Sequence, residues 1–539
     1  MLRVNGIVLK PGESKDSVVP QLCRILGVSP VELIRWRISK ESVDARKKDH
    51  IFLVYNVDAE LGAAAEARVL KRNGGEDARL KLVRELPFEI PAAQWRFAHR
   101  PVVCGFGPCG IFAALIFARA GLRPIVLERG GSMEERVGAV SAFWERGRLD
   151  PSCNVQFGEG GAGTFSDGKL TTGTNDPLNR FILSELVAAG APEDILYKQK
   201  PHVGTDLLRR VVVNLRERIL SEGGEVRFGT CMEQIDFHDG RVEALRLRNG
   251  AILPADTVIL ALGHSARDSF RALYDLGIAM AQKPFSIGVR IEHLQRAIDL
   301  GRYGKPAAEA GLPPSEYKLA VRTKDDRGVY TFCMCPGGYV VASASMEGGV
   351  VTNGMSFRSR EGQNANSAVL VDVRPSDYGS EHPLAGILFQ ENWEQRAYEA
   401  GGKNYFAPAE RLGDFLGTGF NENNCDCGPE PTYRPGVTWT KVENCLPSFA
   451  VEALREAFPR LGRMLPGFDS PSAILTAIES RSSSPVRILR NENREATDVR
   501  GVAISGLYPA GEGAGYAGGI LSAAADGVHS ALAALRSRE

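Results

Sequence analysis

The sequence has no uninterrupted apolar run of the roughly 18 residues that a bilayer-crossing helix needs, so no membrane span is expected. Cysteine is scarce, 10 of 539 residues, and the thiols are scattered rather than dense, which argues against a disulfide scaffold. An excess of charge of one sign is also missing: Lys plus Arg and Asp plus Glu both total 65. That balance excludes a generally basic nucleic-acid binder, although a local patch can survive it. The N-terminus meets Arg3 before any long apolar stretch, so no secretory leader is expected and the expected location is cytoplasmic. There is no nucleophile elbow of the hydrolase type and no P-loop lysine motif. Glycine, in contrast, is plentiful at 59 residues, in a chain that is 43% hydrophobic. This is the composition of a folded, enzyme-like chain with many tight backbone sites.

The length suggests several units. Residues 1–93 read as a small α+β domain, with strands at Val4–Leu9 and Ile51–Asn56 and a helix over Asp16–Leu26. The first 100 residues hold 18 Lys and Arg against 13 Asp and Glu, partly in Arg46-Lys47-Lys48. That run reads first as a solvated face; the alternative is an RNA-binding surface. Beyond Pro87 and Pro91 the pattern changes. A strand at Pro101–Cys104 enters Gly105-Phe106-Gly107-Pro108-Cys109-Gly110, an apolar helix fills 111–120, and a strand at Pro124–Leu127 closes on Glu128. A helix follows at 204–220, then strands at Val226–Asp236, Arg241–Leu247 and Thr257–Ala261. From 285 to 490 the chain reads as short strands and loops with one helix at 448–457. A strand at 502–505 then leads through a glycine-rich turn to a helix beginning near Gly519. The fold class is therefore α/β. A Rossmann-like dinucleotide domain, 94–284 with a return segment at 491–539, is interleaved with a mixed α+β domain over 285–490. The small N-terminal domain is added to these.

The strongest motif is Gly105-x-Gly107-x-x-Gly110 between strand and helix. Gly105 permits the tight turn, Gly107 leaves room for pyrophosphate, and Gly110 lets the helix approach the sheet. The helix N-terminus presents oriented N–H groups to phosphate, and Pro108 suits its first turn. Glu128 lies 23 residues after Gly105, near the spacing at which a carboxylate accepts from an adenosine ribose. The motif alone does not separate one dinucleotide from another. Leu507 to Gly519, with Gly511, Glu512, Gly513 and Gly515, is richer in glycine than a helix entrance requires and could close over the far end of a long dinucleotide.

On these residues the sequence resembles the glutathione-reductase-like superfamily of FAD proteins, and within it a bacterial group of FAD-dependent or NAD(FAD)-utilising dehydrogenases. The resemblance rests on the Gly105–Gly110 turn with Glu128, the Thr257–Ser265 run and the Gly511–Gly515 return, together with the runs Phe157–Lys169 and Phe332–Gly338. It implies bound FAD, with Gly160, Gly161 and Gly163 in a loop approaching it and Gly263 at a backbone-contact position. Glu512 stands where many relatives carry Asp. The nicotinamide in the group's name, NADH or NADPH, could bind transiently as electron donor or be absent, and no substrate is implied.

Lys169 ends that loop and could stabilise negative charge on reduced flavin or on a substrate oxygen; the alternative is a solvated loop lysine. Arg481, in a Ser-rich loop, could hold an anionic group bidentately. The region 347–366 and the loop 481–485 together could line a substrate channel. Cys104 and Cys109 read as structural. Cys333 and Cys335, like Cys425 and Cys427, are separated by one residue, whereas a zinc knuckle uses two, so no metal site is expected. Cys333 and Cys335 remain candidates for redox work. The expected function is an FAD-dependent oxidoreductase passing a hydride or two electrons to or from an organic small molecule. A reductant or partner protein completes the cycle. The alternatives are an FAD-dependent monooxygenase and an FAD-stabilised binding or RNA-associated protein.

Overall fold

The computed structural model describes residues 1–73, 79–84, 88–93, 97–173, 175–419 and 428–536. At its centre is a five-stranded, wholly parallel sheet in the order Leu507–Pro509, Val258–Leu260, Val102–Cys104, Ile125–Leu127, Glu225–Arg227. Helices Pro108–Arg119 and Ile520–Leu535 share one apolar core with it. Every residue from Cys109 to Ala118 is buried, which explains why that helix reads as apolar all round rather than amphipathic. This is a Rossmann-like dinucleotide-binding arrangement with further α+β parts.

The second large unit is a seven-stranded mixed sheet, in the order Ala320–Arg322, Gly328–Cys335, Asn364–Val373, Phe285–Leu294, Ile474–Glu479, Ala407–Arg411, Val437–Trp439. Its two central strands pair without a break from Phe285↔Val373 to Leu294↔Asn364. The expectation of short strands and a single helix is corrected here: both strands are ten residues long, and helices Ala385–Ala400 and Ser448–Met464 cover the sheet. Pro459 lies inside the second helix, where the sequence pattern would stop it early.

Two further corrections have local causes. The expected strand Val226–Asp236 is split at Gly229 (φ 61): Glu225–Arg227 joins the parallel sheet, and Met232–His238 pairs with Arg241–Leu247. The last parallel strand is Leu507–Pro509 rather than 502–505, because Gly506 (φ 84) turns the chain before it reaches Val258.

The N-terminal unit is a four-stranded antiparallel sheet with its own core. It rests on the rest of the chain through Ala45 and Ile51 against Tyr303, Ala307, Ala310 and Leu312. Glu41 and residues 197–199 also exchange backbone hydrogen bonds. The basic run is divided there. Arg46 folds back on Asp44 (2.6 and 2.9 Å), and the methylenes of Lys48 lie beside Gly304. No helix among the described residues is long and apolar enough to cross a membrane.

Candidate functional site

The C-terminal ends of the parallel strands open into an elongated cleft between the two large units. Gly105 turns there at φ 105, and a Cβ on it would stand 2.3 Å from the Ala261 carbonyl oxygen. A Cβ on Gly110 would lie 1.8 Å from the Gly105 oxygen. These two glycines let backbone meet backbone. Gly107 and Pro108, at the helix start, face the cleft.

Glu128 is buried, and its carboxylate first ties three loops together. Oε2 accepts from Phe106 N–H, and Oε1 accepts from Gly130 and Gly158 N–H, each at 2.9 Å. Of about four acceptor positions on a carboxylate, roughly one remains for a ribose hydroxyl.

Of the glycines expected to contact a cofactor, Gly161, Gly163 and Gly263 line the cleft with Gly105 and Gly107, whereas Gly110, Gly160, Gly511, Gly513 and Gly515 stand behind its wall. A Cβ on Gly513 would meet the Gly263 oxygen at 2.6 Å, and one on Gly515 the Val486 oxygen at 2.8 Å. Their smallness serves chain packing. The loop over 154–161 is organised by a residue the sequence did not single out. Arg136, fully buried, donates to the carbonyls of Asn154, Val155, Gly158, Glu159 and Gly161 at 2.6–3.3 Å. It sits in an unremarkable amphipathic helix, so no local pattern announces it.

Glu512 reaches the cleft wall, with Oε1 3.9 Å from His264 Nε2. Burial pushes its carboxyl up to about 7, against the lowering effect of the Gly519 N–H and Lys283. His264 was too isolated in sequence to attract a role, yet it lines the same wall, and its Nδ1 is buried with no partner among the described residues. Burial, then the Arg481 and Arg267 charges, pull its pKa down to about 3, so the ring is neutral.

The sign of the Glu512 shift has a stability consequence. Between the ordinary value of 4.5 and about 7 the folded, ligand-free protein holds the proton more tightly than the unfolded chain. Stability therefore falls as pH rises through that window. Glu512→Gln is expected to raise the urea stability of the ligand-free protein by on the order of 2 kcal/mol at about pH 8, the gain vanishing below about pH 4. Urea curves at the two pH values measure the difference.

The cleft lining also includes Lys169, Cys333, Cys335 and Arg481, with Asp167, Asn353 and Glu479. The Lys169 ammonium is 3.8 Å from Asp167 Oδ2, and Asp167 is already engaged by Arg360 at 2.6 Å. Lys169 makes no closer polar side-chain contact among the described residues. Arg481 is different. Nε and Nη2 grip Glu394 at 3.0 and 2.8 Å, and Nη1 donates to Ser265 and Ser345 at 3.0 and 2.6 Å. Four of its five N–H groups are thus spent within the protein, which leaves one for an anionic group.

Cys333 occupies a bulge at φ 41, drawn there by hydrogen bonds that Arg290 Nη1 (3.0 Å) and Cys335 Sγ (3.2 Å) donate to its carbonyl. It is exposed to the open cleft, whose walls desolvate its thiol and push it up to about 12, and burial pushes that of Cys335 to about 11. Both are protonated thiols at neutral pH, poor nucleophiles. Arg290, fully buried, also grips Glu479 (2.6 and 3.2 Å) and Asn353 (3.3 Å), fixing this wall. Cys104 and Cys109 are buried free thiols. Cys425 and Cys427 lie outside the described residues. Arg358, expected near a substrate channel, instead pairs with Asp194.

Residues 284–482 match the family described as FAD-dependent protein, C-terminal domain-like, and residues 1–60 match a domain of unknown function. An uncharacterized protein of Clostridium beijerinckii is 44% identical over 528 residues, covering 98% of this chain and 97% of that one. Among solved structures, the open conformation of a flavocytochrome c3 fumarate reductase is 11% identical over 81% of this chain and 77% of its own, with a TM-score of 0.32. Pseudomonas aeruginosa PqsL, in complex with 2-aminobenzoylacetate, is 15% identical over 52% of this chain and 62% of its own, with a TM-score of 0.27. Likeness at these scores carries no argument about activity.

Proposed function

The chain belongs to the family of the Clostridium beijerinckii protein, which it matches over 98% of its length, and we propose that it is an FAD-dependent oxidoreductase, a reductase or dehydrogenase acting on an organic small molecule. The observation that carries this reading is one continuous cleft in which the Gly105–Gly107 turn, the helix start at Pro108, Glu128, the 161–163 loop and Glu512 meet. Bound there, FAD would supply two-electron chemistry. The helix N-terminus would face its phosphates and the free lone pair of Glu128 a ribose hydroxyl. Glu512, protonated below about 7, can both donate to and accept from a polyol hydroxyl. Lys169 places a positive charge where the two large units face each other, and Arg290 holds Glu479 and the Cys333 bulge in fixed positions beside it.

Denaturing the purified protein is expected to release FAD, and anaerobic mixing with NADH or NADPH to bleach the flavin absorption. A protein that binds no FAD on reconstitution would sink the reading. Lys169→Met is expected to keep its FAD while slowing reoxidation by saturating substrate about tenfold or more, as removal of a charge-stabilising group does. Rapid-mixing spectroscopy reads that rate. An oxygen atom from O2 in the organic product would replace the reductase or dehydrogenase assignment by a monooxygenase.

A further inference from the structure

A second cleft, with a volume of about 480 Å³, opens beside the first and shares Arg129, Phe157 and Ser265 with it. Its volume falls in the usual range for small-ligand sites. Four arginines line it, Arg129, Arg248, Arg267 and Arg271, against only Asp268 and Glu347. Glu391 and Glu394, paired with Arg271 and Arg267 behind this wall, balance the count, so what the wall offers an anion is guanidinium N–H donors rather than net charge.

Each guanidinium is held in place, yet few are used up. Arg129 lies 4.5 Å from the Phe157 ring centroid and reaches Asp268 at 3.0 and 3.2 Å. Arg248 places a single N–H on the same Asp268, at 2.8 Å. Arg271 meets Glu391 at 2.7 and 2.8 Å through Nη2 alone, so Nε and Nη1 have no acceptor among the described residues. Arg267 is 2% exposed and grips Glu394 at 2.8 and 2.9 Å, but its Nε is buried with no partner among the described residues. Charged donors left without acceptors at a cavity, here Nε and Nη1 of Arg271, point to an anionic occupant. The side chains of Arg248 and Arg271 are 54% and 43% exposed and stand at the mouth. Arg129 on Phe157, with Met346 and the hydroxyls of Ser265 and Ser345, forms the inner wall. A fixed set of guanidiniums suits phosphate oxygens, and an arginine stacked on an aromatic ring beside apolar surface suits a flat base.

We propose that this side cleft binds a nucleoside diphosphate group, its phosphates on Arg248 and Arg271 and its base toward Arg129 and Phe157. The claim concerns binding alone and stands whether or not the main cleft holds FAD. The test is calorimetric titration of the full chain, saturated with FAD, with ADP, adenosine and inorganic pyrophosphate. ADP is expected to bind one to one, at least about tenfold more tightly than adenosine, and more weakly as salt is raised. Arg248→Ala and Arg271→Ala are each expected to weaken ADP binding about tenfold or more, the scale of a charge-assisted hydrogen bond. Both side chains are largely solvated, so the fold is retained; the melting curve checks this. Repeating the titration on Gly107→Val, whose main cleft is obstructed, separates the two sites. Binding retained there supports the side cleft. Binding lost in that variant, binding abolished by FAD, affinity unchanged from the native chain in both arginine variants, or no binding to the full chain overturns the proposal. Release of FAD on denaturation is scored independently, so failure here is distinct from failure of the flavoenzyme reading.

Discussion

Gly107→Val is expected to fold with an unchanged melting curve and to lose FAD affinity by about a hundredfold or more. At φ −83 and ψ −174 the Gly107 backbone is one that any residue adopts, and an added Cβ would meet only the Gly161 Cα, at an ordinary 3.6 Å. The extra carbons therefore enter the cleft rather than the core, at the point where the helix amides would face the phosphates of the proposed cofactor. Loss of two or more charge-assisted hydrogen bonds there, at roughly 1.5–3 kcal/mol each, sets the scale. Gly110→Ala gives the opposite outcome. Its Cβ would be driven to 1.8 Å from the Gly105 oxygen, which is backbone and cannot yield as a side chain could. That variant is expected to lose about 3 kcal/mol or more of stability. Flavin absorbance after desalting, together with thermal denaturation of the FAD-free forms, compares the pair. Full flavin occupancy in Gly107→Val would remove the assigned cleft from consideration.

The same contrast explains what the sequence could reveal. The Gly105–Gly110 turn was legible because its spacing is tied to a strand and a helix, and both are present. Which glycines face a ligand was not legible, because a position needing close approach looks alike whether phosphate or another backbone approaches. Gly513 against Gly263 is such a case. Helix Ala385–Ala400 was hidden for a related reason. Its buried face includes Gln390 and Glu394, so the 3.6-residue apolar period that marks an amphipathic helix is broken where the helix is most enclosed. Arg267, 127 residues from Glu394, and Arg481, 87 residues away, are the partners that make this burial tolerable, and no local window contains them. Strand Phe285–Leu294 is interrupted in the same way by Arg290, Glu292 and His293, all buried and all hydrogen-bonded.

Glu394 carries the second large effect. One carboxylate joins three elements: the helix that bears it, Arg267 at the start of Arg267–Asp275, and Arg481 beyond strand Ile474–Glu479. Ser480 adds a hydroxyl donor at 2.7 Å. Burial alone would push this carboxyl up; the two guanidiniums outweigh it and hold it well below the usual carboxylate range. Glu394→Ala leaves two buried guanidiniums without their shared carboxylate, and breaking such a pair costs about 3–5 kcal/mol. Arg481→Met removes one charge from a group with a positive excess and leaves the Arg267–Glu394 pair, so it is expected to cost less. A carboxylate whose folded pKa is depressed stabilises the fold above its unfolded value of 4.5 and loses that contribution as pH falls. The gap between the native protein and Glu394→Gln should therefore be widest near neutrality and close progressively below about pH 4.5, with denaturant midpoints as the measure. A gap independent of pH would show that shape, not charge, holds the three elements together. Arg481→Met then distinguishes support from substrate anchoring: a lower midpoint with an unchanged KM identifies the former, a raised KM with an unchanged midpoint the latter.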